Sequence, residues 1–487
     1  MISYVSFNYY VLLVFLIALY YIFPLKYRWY ILLAGSGCFY YLAMEHWIQL
    51  IIFALSIGVS YFFGIFIQHL REGESKQITR RLVLMLGIIM SVFPLVGSKC
   101  TDFILSCVIH KQRIPWIIPL GLSFYSLQII AYLVDVAKGR IKCQKNIFKY
   151  TLFVSFFPQI IQGPIPRYKQ LEEQLIQGHQ YDSSGFMKGI QLMIWGFFLK
   201  FMIANKASVI VDAVFDSDSA YLGWYVLVAG ILYSFQLYAD FLACVSLSQG
   251  ASQLFGINLV NNFNHPYFSV SIKDFWRRWH ISLSSWLRDY VYIPLGGNRR
   301  GRLQKYINLV ITFTVSGIWH GASWKYLFWG GMHAVYQIAG DLTNNIRIRI
   351  YSFLHISWES KLCIGIRRVI TFCLVMLAWI IFRADSLKSG IKMTLSIFTL
   401  HNPQILFDNS LFGLGLNQKE CEVLCLSLLI LLLSSILQEK GVIIRDWFSR
   451  QCLIVRWGIY LCAICGIWVC GSYGYGFDAD DFIYGGF

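Results

Sequence analysis

The sequence predicts an all-α, polytopic integral membrane protein with roughly ten to twelve transmembrane or re-entrant helices. Three observations predict it. Of 487 residues, 57% are hydrophobic, 17% aromatic and only 14% charged, with mean hydropathy +0.57. Apolar stretches near the roughly 20-residue span length recur along the whole chain. Lysine and arginine gather in alternate loops, as they do in chains oriented by a membrane.

The apolar stretches, in order, are 7–24, 29–44, 46–69, 82–98, 116–137, 187–204, 222–240, 366–383, 423–437 and 454–470. Four others, 147–163, 306–319, 322–342 and 386–400, are short or interrupted by polar residues, and re-entrant segments are expected among the ten to twelve spans as a whole. The opening MISYVSFNYY has no Lys or Arg before its apolar run and no A-x-A site after it, so it reads as a first transmembrane helix. With the N-terminus outside, the loops at 25–28, 71–81 and 138–149 are cytoplasmic. They hold Lys26, Arg28, Arg71, Lys76, Arg80, Arg81, Lys138, Arg140, Lys142, Lys145 and Lys149, whereas the opposing loop at 99–115 holds Lys99, Lys111 and Arg113. Positive charge therefore stays inside.

The net charge of +16 is accounted for by this topology. Nucleic-acid binding needs a basic face on a folded soluble domain, and no polar stretch is long enough to form one. The thirteen cysteines lie mostly within or beside apolar runs and read as small packing residues, Cys462 and Cys465 included. Asp478, Asp480 and Asp481 read as a solvated terminus rather than a cation site. There is no GxxxxGK, GxGxxG or HExxH string, hence no signature of nucleotide-driven pumping or zinc proteolysis. No metal site is expected. No repeat or long linker divides the chain, which reads as one domain over 1–487.

Two histidines stand out. His280 lies in DFWRRWHISLSSWLRDYVYIPLGGNR and His320 in SGIWHGASWKYLFWGGMH. An imidazole between long apolar runs is costly, so a functional site is the default reading. Ser271 and Asp274 have capping-box spacing. From there Ile272, Phe275, Trp276, Trp279, Leu283, Trp286, Leu287 and Tyr290 recur at three- and four-residue intervals, opposite Arg277, Arg278, Ser284, Ser285, Arg288 and Asp289. This pattern predicts an interfacial amphipathic helix near 271–290, with His280 at the edge of its apolar face.

The following loop, Pro294 to Arg302, is basic and glycine-punctuated. With Arg277, Arg278 and Arg288 it suits gripping phosphates, and equally suits anchoring to lipid headgroups. Beyond it an apolar run stops at His320-Gly321. A helix broken at membrane depth is tolerated where it lines a cavity or packs inside protein, which places His320 deep with access to something polar. A neutral imidazole there suits a general base. His333, thirteen residues on, reads as a packing histidine.

FWRRWHISLSSWLRDYVYIPLGGNR followed by SGIWHG resembles the signature of the membrane-bound O-acyltransferase (MBOAT) family, in the bacterial branch that acts on alginate and teichoic acid. PLGLSFYSLQIIAYLVDVAKGRI (119–141), FFPQIIQGPIPRY (156–168) and YSFQLYADF (233–241) fit as well, and the densest motifs lie between 119 and 335. The chain departs from the pattern after Asp240, with FLACVSLSQG where a small-residue run with an acid is expected. The ending FIYGGF matches only in part. The resemblance implies helices around a central tunnel in a bacterial plasma membrane. It implies an acyl thioester entering from the cytoplasm, with the acyl group passing to a hydroxyl near the outer face. His320 takes the essential catalytic place and His280 the supporting one. Arg277, Arg278, Trp279, Arg288, Asn298, Arg299, Trp319 and Ser316 are candidates for holding substrate or donor, and the oxyanion donor is sought among His280, Asn298, Ser316 and Trp319. No tightly bound cofactor is expected: acetyl-CoA or an acyl-carrier thioester is the donor substrate. Expected partners are membrane lipid and an exported SGNH-type transferase or other envelope-modification subunits.

Acetyl transfer to a cell-surface polysaccharide is the first expectation and D-alanyl transfer from a carrier protein the second. A transporter with an intramembrane histidine relay competes from another class. A scaffold for envelope assembly is the blandest alternative.

Overall fold

Every regular element among the described residues is a helix. The computed structural model describes residues 3–73, 76–104, 117–217, 220–353 and 355–473. The acidic tail at Asp478, Asp480 and Asp481, the closing FIYGGF, and Lys111 and Arg113 of the outer loop lie outside them. The chain folds as two compact units. Among the described residues the first takes 3–196 together with 244–260, and the second takes 197–243 and 261–473.

In the first unit α1 (Phe7–Ile22) and α2 (Arg28–Ala43) precede two long helices, α3 (Trp47–Glu72) and α4 (Gln77–Ile104). Then come α5 (Leu122–Ala137), α6 (Ile147–Ser155), α7 (Tyr168–Gln177) and α8 (Ser183–Phe198). The helices α3, α4 and α5 pack on one another. Gly64 makes room for the Tyr132 ring, which a Cβ there would meet at 2.8 Å.

The three loops predicted to be cytoplasmic meet at one end of this unit. Arg71 donates to Val136 O at 2.8 Å and Tyr61 to Lys145 O at 2.6 Å. Lys149 sits over the Trp29 ring, one residue past the 25–28 loop, at 5.7 Å. Three separately basic loops on one face is what the positive-inside rule requires.

The second unit begins with a π-helical turn, Leu199–Ala204, and α9 (Asn205–Phe215). It continues with α10 (Trp224–Leu254, whose last turns belong to the first unit), α11 (Ile272–Arg278), α12 (Ile281–Leu287), α13 (Gly301–His320) and α14 (Trp324–Leu342). The helices α15 (Asn344–Phe353), α16 (Lys361–Arg383), α17 (Leu387–Thr399), α18 (Gln418–Glu439), α19 (Ile444–Ser449) and α20 (Leu453–Cys470) complete it. The α13–α14 hairpin is the tightest pair. A Cβ on Gly317 would sit 2.4 Å from Tyr326 O, and one on Gly330 2.4 Å from Phe313 O. Small residues let helices approach closely where the apolar surroundings give no hydrophobic drive. Asp341 accepts from Lys305 Nζ at 2.7 Å and Tyr306 Oη at 2.8 Å, which ties the far end of the hairpin.

Seven helices among the described residues are long and apolar enough to cross a membrane: 47–72, 77–99, 183–215, 224–254, 361–383, 418–439 and 453–470. The apolar helices α1 and α5 are shorter, at 16 residues each. A rise of about 1.5 Å per residue leaves them near 24 Å, short of a roughly 30 Å core unless the bilayer thins around them. Against the expected ten to twelve, seven helices among the described residues are long and apolar enough to cross, and α1 and α5 are apolar but shorter.

The helix expected near 271–290 differs from its pattern in two ways. It is broken at Trp279-His280 into α11 and α12, followed by a π-helical turn at Arg288–Tyr292. Its tryptophans 276, 279 and 286 are buried in protein rather than laid on lipid. The capping expectation holds in part: Ser271 Oγ accepts from Asp274 N at 3.1 Å, while Asp274 Oδ2 accepts from Val270 N at 3.2 Å.

Gly330→Ala is expected to cost about 1–3 kcal/mol by forcing the hairpin apart. A lowered thermal midpoint in detergent would show it. Gly331→Ala, where a Cβ meets nothing within 4 Å, serves as the silent control.

Candidate active site

His280 sits at the break between α11 and α12 in a left-handed conformation, φ 44° and ψ 55°. Such a conformation is strained for a residue with a Cβ and persists only when its surroundings over-determine it. The surroundings are the segment 261–265. Asn264 N donates to Arg278 O at 2.9 Å, and Ile281 N donates to Asn262 O at 2.9 Å, so the segment straps both sides of the kink. The Asn262 side chain completes the strap. Its Oδ1 lies 3.2 Å from His280 Nδ1 and accepts from Ser282 N at 3.0 Å and Ser282 Oγ at 2.8 Å.

That convergence sets the proton on the ring. A backbone N–H can only donate, so the Asn262 atom facing Ser282 N is the amide oxygen, and an amide oxygen only accepts. His280 Nδ1 therefore carries hydrogen, and in the neutral ring Nε2 holds the lone pair.

His320 closes α13, and Gly321 leaves the helix in extended backbone. The imidazole is 3% exposed and boxed by rings: Trp319 at 4.8 Å, Trp329 at 5.2 Å and Phe382 at 5.3 Å between centroids, each near edge-on. Gly321 is needed because a Cβ there would meet the Tyr326 ring at 2.6 Å. The Trp319 ring also lies 6.1 Å from His280. One indole thus faces both histidines, and residues 40 apart in sequence share one aromatic cluster. Phe241 closes the His280 side at 4.8 Å.

The other predicted residues fall into two groups. Ser316, one turn before His320, and Trp279 are buried with the histidines' cluster, Trp279 against Phe263, Phe275 and Trp379. Arg277, Arg288, Asn298 and Arg299 are exposed. Arg278 pairs with Asp274 at 3.3 Å and with Glu439, Arg288 with Asp289 at 2.9 Å, and Asn298 accepts from the Tyr292 hydroxyl. The basic loop is fixed from below by Asn308, whose buried Nδ2 donates to Gly297 O at 3.0 Å. His333 is a packing residue in its geometry. Its Nδ1 accepts from Trp276 Nε1 at 3.3 Å, the opposite assignment from His280.

Sequence reasoning passed over Asn262, Trp329 and the Lys200–Asp240 pair. Trp329 is fully buried beside His320, with an indole N–H that meets no acceptor among the described residues. Lys200 and Asp240 form a 2.7 Å ion pair with side chains 3% and 2% exposed, Lys200 standing on the π-helical turn and Asp240 one residue before Phe241. Losing either partner would strand a buried charge. The strings NNFNHP and FLKFMIA held the clue in their polar residues amid apolar ones, but nothing in them names the partner.

A profile of the membrane-bound O-acyltransferase family matches residues 143–382. A probable alginate O-acetylase AlgI of Azotobacter vinelandii is 34% identical over 395 residues, covering 79% of this chain and 75% of the relative. The chain belongs to the membrane-bound O-acyltransferase family. A peptidoglycan O-acetyltransferase of Helicobacter pylori is 34% identical over 69% of this chain and 68% of its own. A teichoic acid D-alanyltransferase of Bacillus subtilis is 29% identical over 61% of this chain and 76% of its own. The protein is thus an acyltransferase and a multi-pass protein of the bacterial plasma membrane.

Asn262→Ala frees the His280 ring to turn and removes the acceptor that fixes its tautomer. With His280 in the supporting place that the family resemblance implies, acyl transfer is expected to fall on the order of 10²-fold. Turnover per membrane-inserted protein checks it.

Proposed function

We propose that this acyltransferase moves an acetyl group from a cytoplasmic thioester, acetyl-CoA or an acyl carrier, to a hydroxyl of a cell-surface polysaccharide or of an exported SGNH-type transferase. His320 is the general base. It takes the proton of the attacking hydroxyl as oxygen adds to the thioester carbonyl. Collapse of the tetrahedral intermediate breaks the C–S bond, and the imidazolium returns the proton to the leaving thiolate. Donors facing the carbonyl oxygen stabilise its charge in a dry site, a role this reading assigns to Ser316, Trp319 and the Trp329 indole N–H. His280, held by Asn262, presents Nε2 as a second acceptor or, when protonated, a donor. The two units act as one catalytic domain in this reading, with other envelope-modification subunits as partners.

The single observation that carries the proposal is the pair of imidazoles 6.1 and 4.8 Å from the one Trp319 ring, in a cluster otherwise built of aromatic rings. The names of the alginate and peptidoglycan relatives support acetyl as the group moved. D-alanyl transfer from a carrier protein to a teichoic-acid-type polymer is the second reading, supported by the Bacillus relative at lower identity and coverage.

The test is alkali-released acid from intact cells making wild-type protein or His320→Ala at matched membrane levels, with acetate and D-alanine assayed in one hydrolysate. Acetate is expected to fall by about 10²–10⁴ with loss of the base. Loss of D-alanine instead selects the second reading, and unchanged acids would sink acyl transfer through His320.

A further inference from the structure

In the first unit, residues 147–167 go into the unit and come back. The entering helix α6 starts beside the basic loop at 138–149 and has nine residues, a rise of about 13 Å, near half of a hydrocarbon core. The chain then runs through turns at 157–163 and extended backbone to α7. The two feet of this hairpin touch. Gln144 Nε2 donates to Tyr168 Oη at 2.9 Å and to Glu172 Oε1 at 3.2 Å. The turn residues, PQIIQG, therefore form a tip at depth. Irregular backbone at membrane depth is tolerated where it packs within protein or lines a polar cavity.

Three of the turn's backbone N–H groups are met, two by other elements and one within the turn. Phe157 N donates to Ser36 Oγ at 3.2 Å, Ile161 N to Tyr4 Oη at 3.3 Å, and Gly163 N to Gln159 O at 2.8 Å. The glutamine side chains are thus not spent on holding the turn. Gln159 and Gln162 are 2% and 1% exposed, and neither amide nitrogen nor amide oxygen of either meets a partner among the described residues. Gly163 lies between Gln159 and Ser248. A Cβ on it would sit 2.6 Å from Gln159 Cβ and 2.7 Å from Ser248 Oγ, a buried hydroxyl that is likewise uncommitted, as is Ser155 Oγ. A buried polar group without a partner costs about 1–3 kcal/mol, and four such atoms belong to this tip, with Ser155 Oγ and Ser248 Oγ making six.

We propose that the re-entrant tip is a binding site for a neutral, hydroxyl- or amide-bearing portion of a substrate, read by Gln159, Gln162 and Ser248. The set offers both donors and acceptors and no charge. It matches groups that donate and accept at once and leaves a phosphate or carboxylate uncompensated. Two sources carry that chemistry here, the amide arm of a pantetheine thioester and the hydroxyls of a sugar acceptor. The proposal rests on the acyl-transfer reading for these two sources. Ser248 lies in FLACVSLSQG, the stretch expected from the sequence to depart from the family's pattern, and in this proposal the site sets the chain's own specificity.

The experiment uses the purified full chain in detergent, as wild type, Gln159→Met, Gln162→Met, Ser248→Ala and His320→Ala. Binding of pantetheine and of the neutral oligosaccharide cellotetraose is followed by isothermal calorimetry. One probe is expected to bind wild type and His320→Ala alike, and to weaken about 10-fold for each glutamine replaced, the worth of a hydrogen bond or two. Thermal stability of the methionine variants stays level or rises, since an uncommitted buried amide has been replaced by an apolar chain of similar length. Pantetheine sensitivity assigns the site to the donor and cellotetraose sensitivity to the acceptor. Equal affinities across all variants, or binding of neither probe, would overturn the site and leave only ordered water at the tip. Should a methionine variant fail to accumulate, Ser248→Ala alone decides by the same affinities. Because binding needs no turnover, a failed site with an active His320 is told apart from a sound site on a protein that transfers no acyl group.

Discussion

The amide oxygen of Asn262 is the point on which the geometry around His280 turns. It gathers three donors from the residues around one kink, two of them from Ser282 and one from His280. A side-chain oxygen has room for such a load only when its donors are delivered by rigid backbone, and two strap hydrogen bonds deliver them. The left-handed His280 follows from that geometry, and so does the end of α11. The interruption of a helix that could otherwise have continued is thus the price of aiming one imidazole.

The aromatic residues serve a different purpose. Trp319, Trp329, Phe382 and Phe241 meet the histidines through ring edges and faces and offer few polar groups. In the proposed reaction a carbonyl developing negative charge in such a place feels each remaining donor strongly, because no water competes. The close glycine contacts of the α13–α14 hairpin hold the helix that ends at His320, so its position is inherited from helix packing rather than from a loop. Catalytic groups on rigid elements are held more exactly than groups on loops. The basic loop after α12 is built otherwise, with glycines 296, 297 and 301 at positive φ and arginines that are exposed.

The first unit repeats the same constraint in another form. Apolar surroundings demand that backbone polar groups be met inside the protein, and the re-entrant tip meets its own with Ser36 and Tyr4. Once the backbone is served, the two glutamines are surplus to folding. Surplus polarity at depth is the physical mark of a place where something else is to be bound or passed.

Much of this was legible in the amino-acid order. Hydropathy and the lysine and arginine asymmetry determined an all-helical membrane protein and which loops share a face, because bilayer thickness and surface charge act on composition directly. The isolated imidazoles at 280 and 320 were legible because burying them is costly. Periodicity misjudged 271–290, since a continuous apolar stripe looks the same whether it lies on lipid or is folded at a kink into protein. The kink is imposed by Asn262, 18 residues away in the chain. Neither the sharing of Trp319 by both histidines, nor the Lys200–Asp240 pair, nor Gln159 beside Ser248 could be read in advance. Each is a contact between segments far apart in sequence, and only packing of the helices decides which polar residues meet.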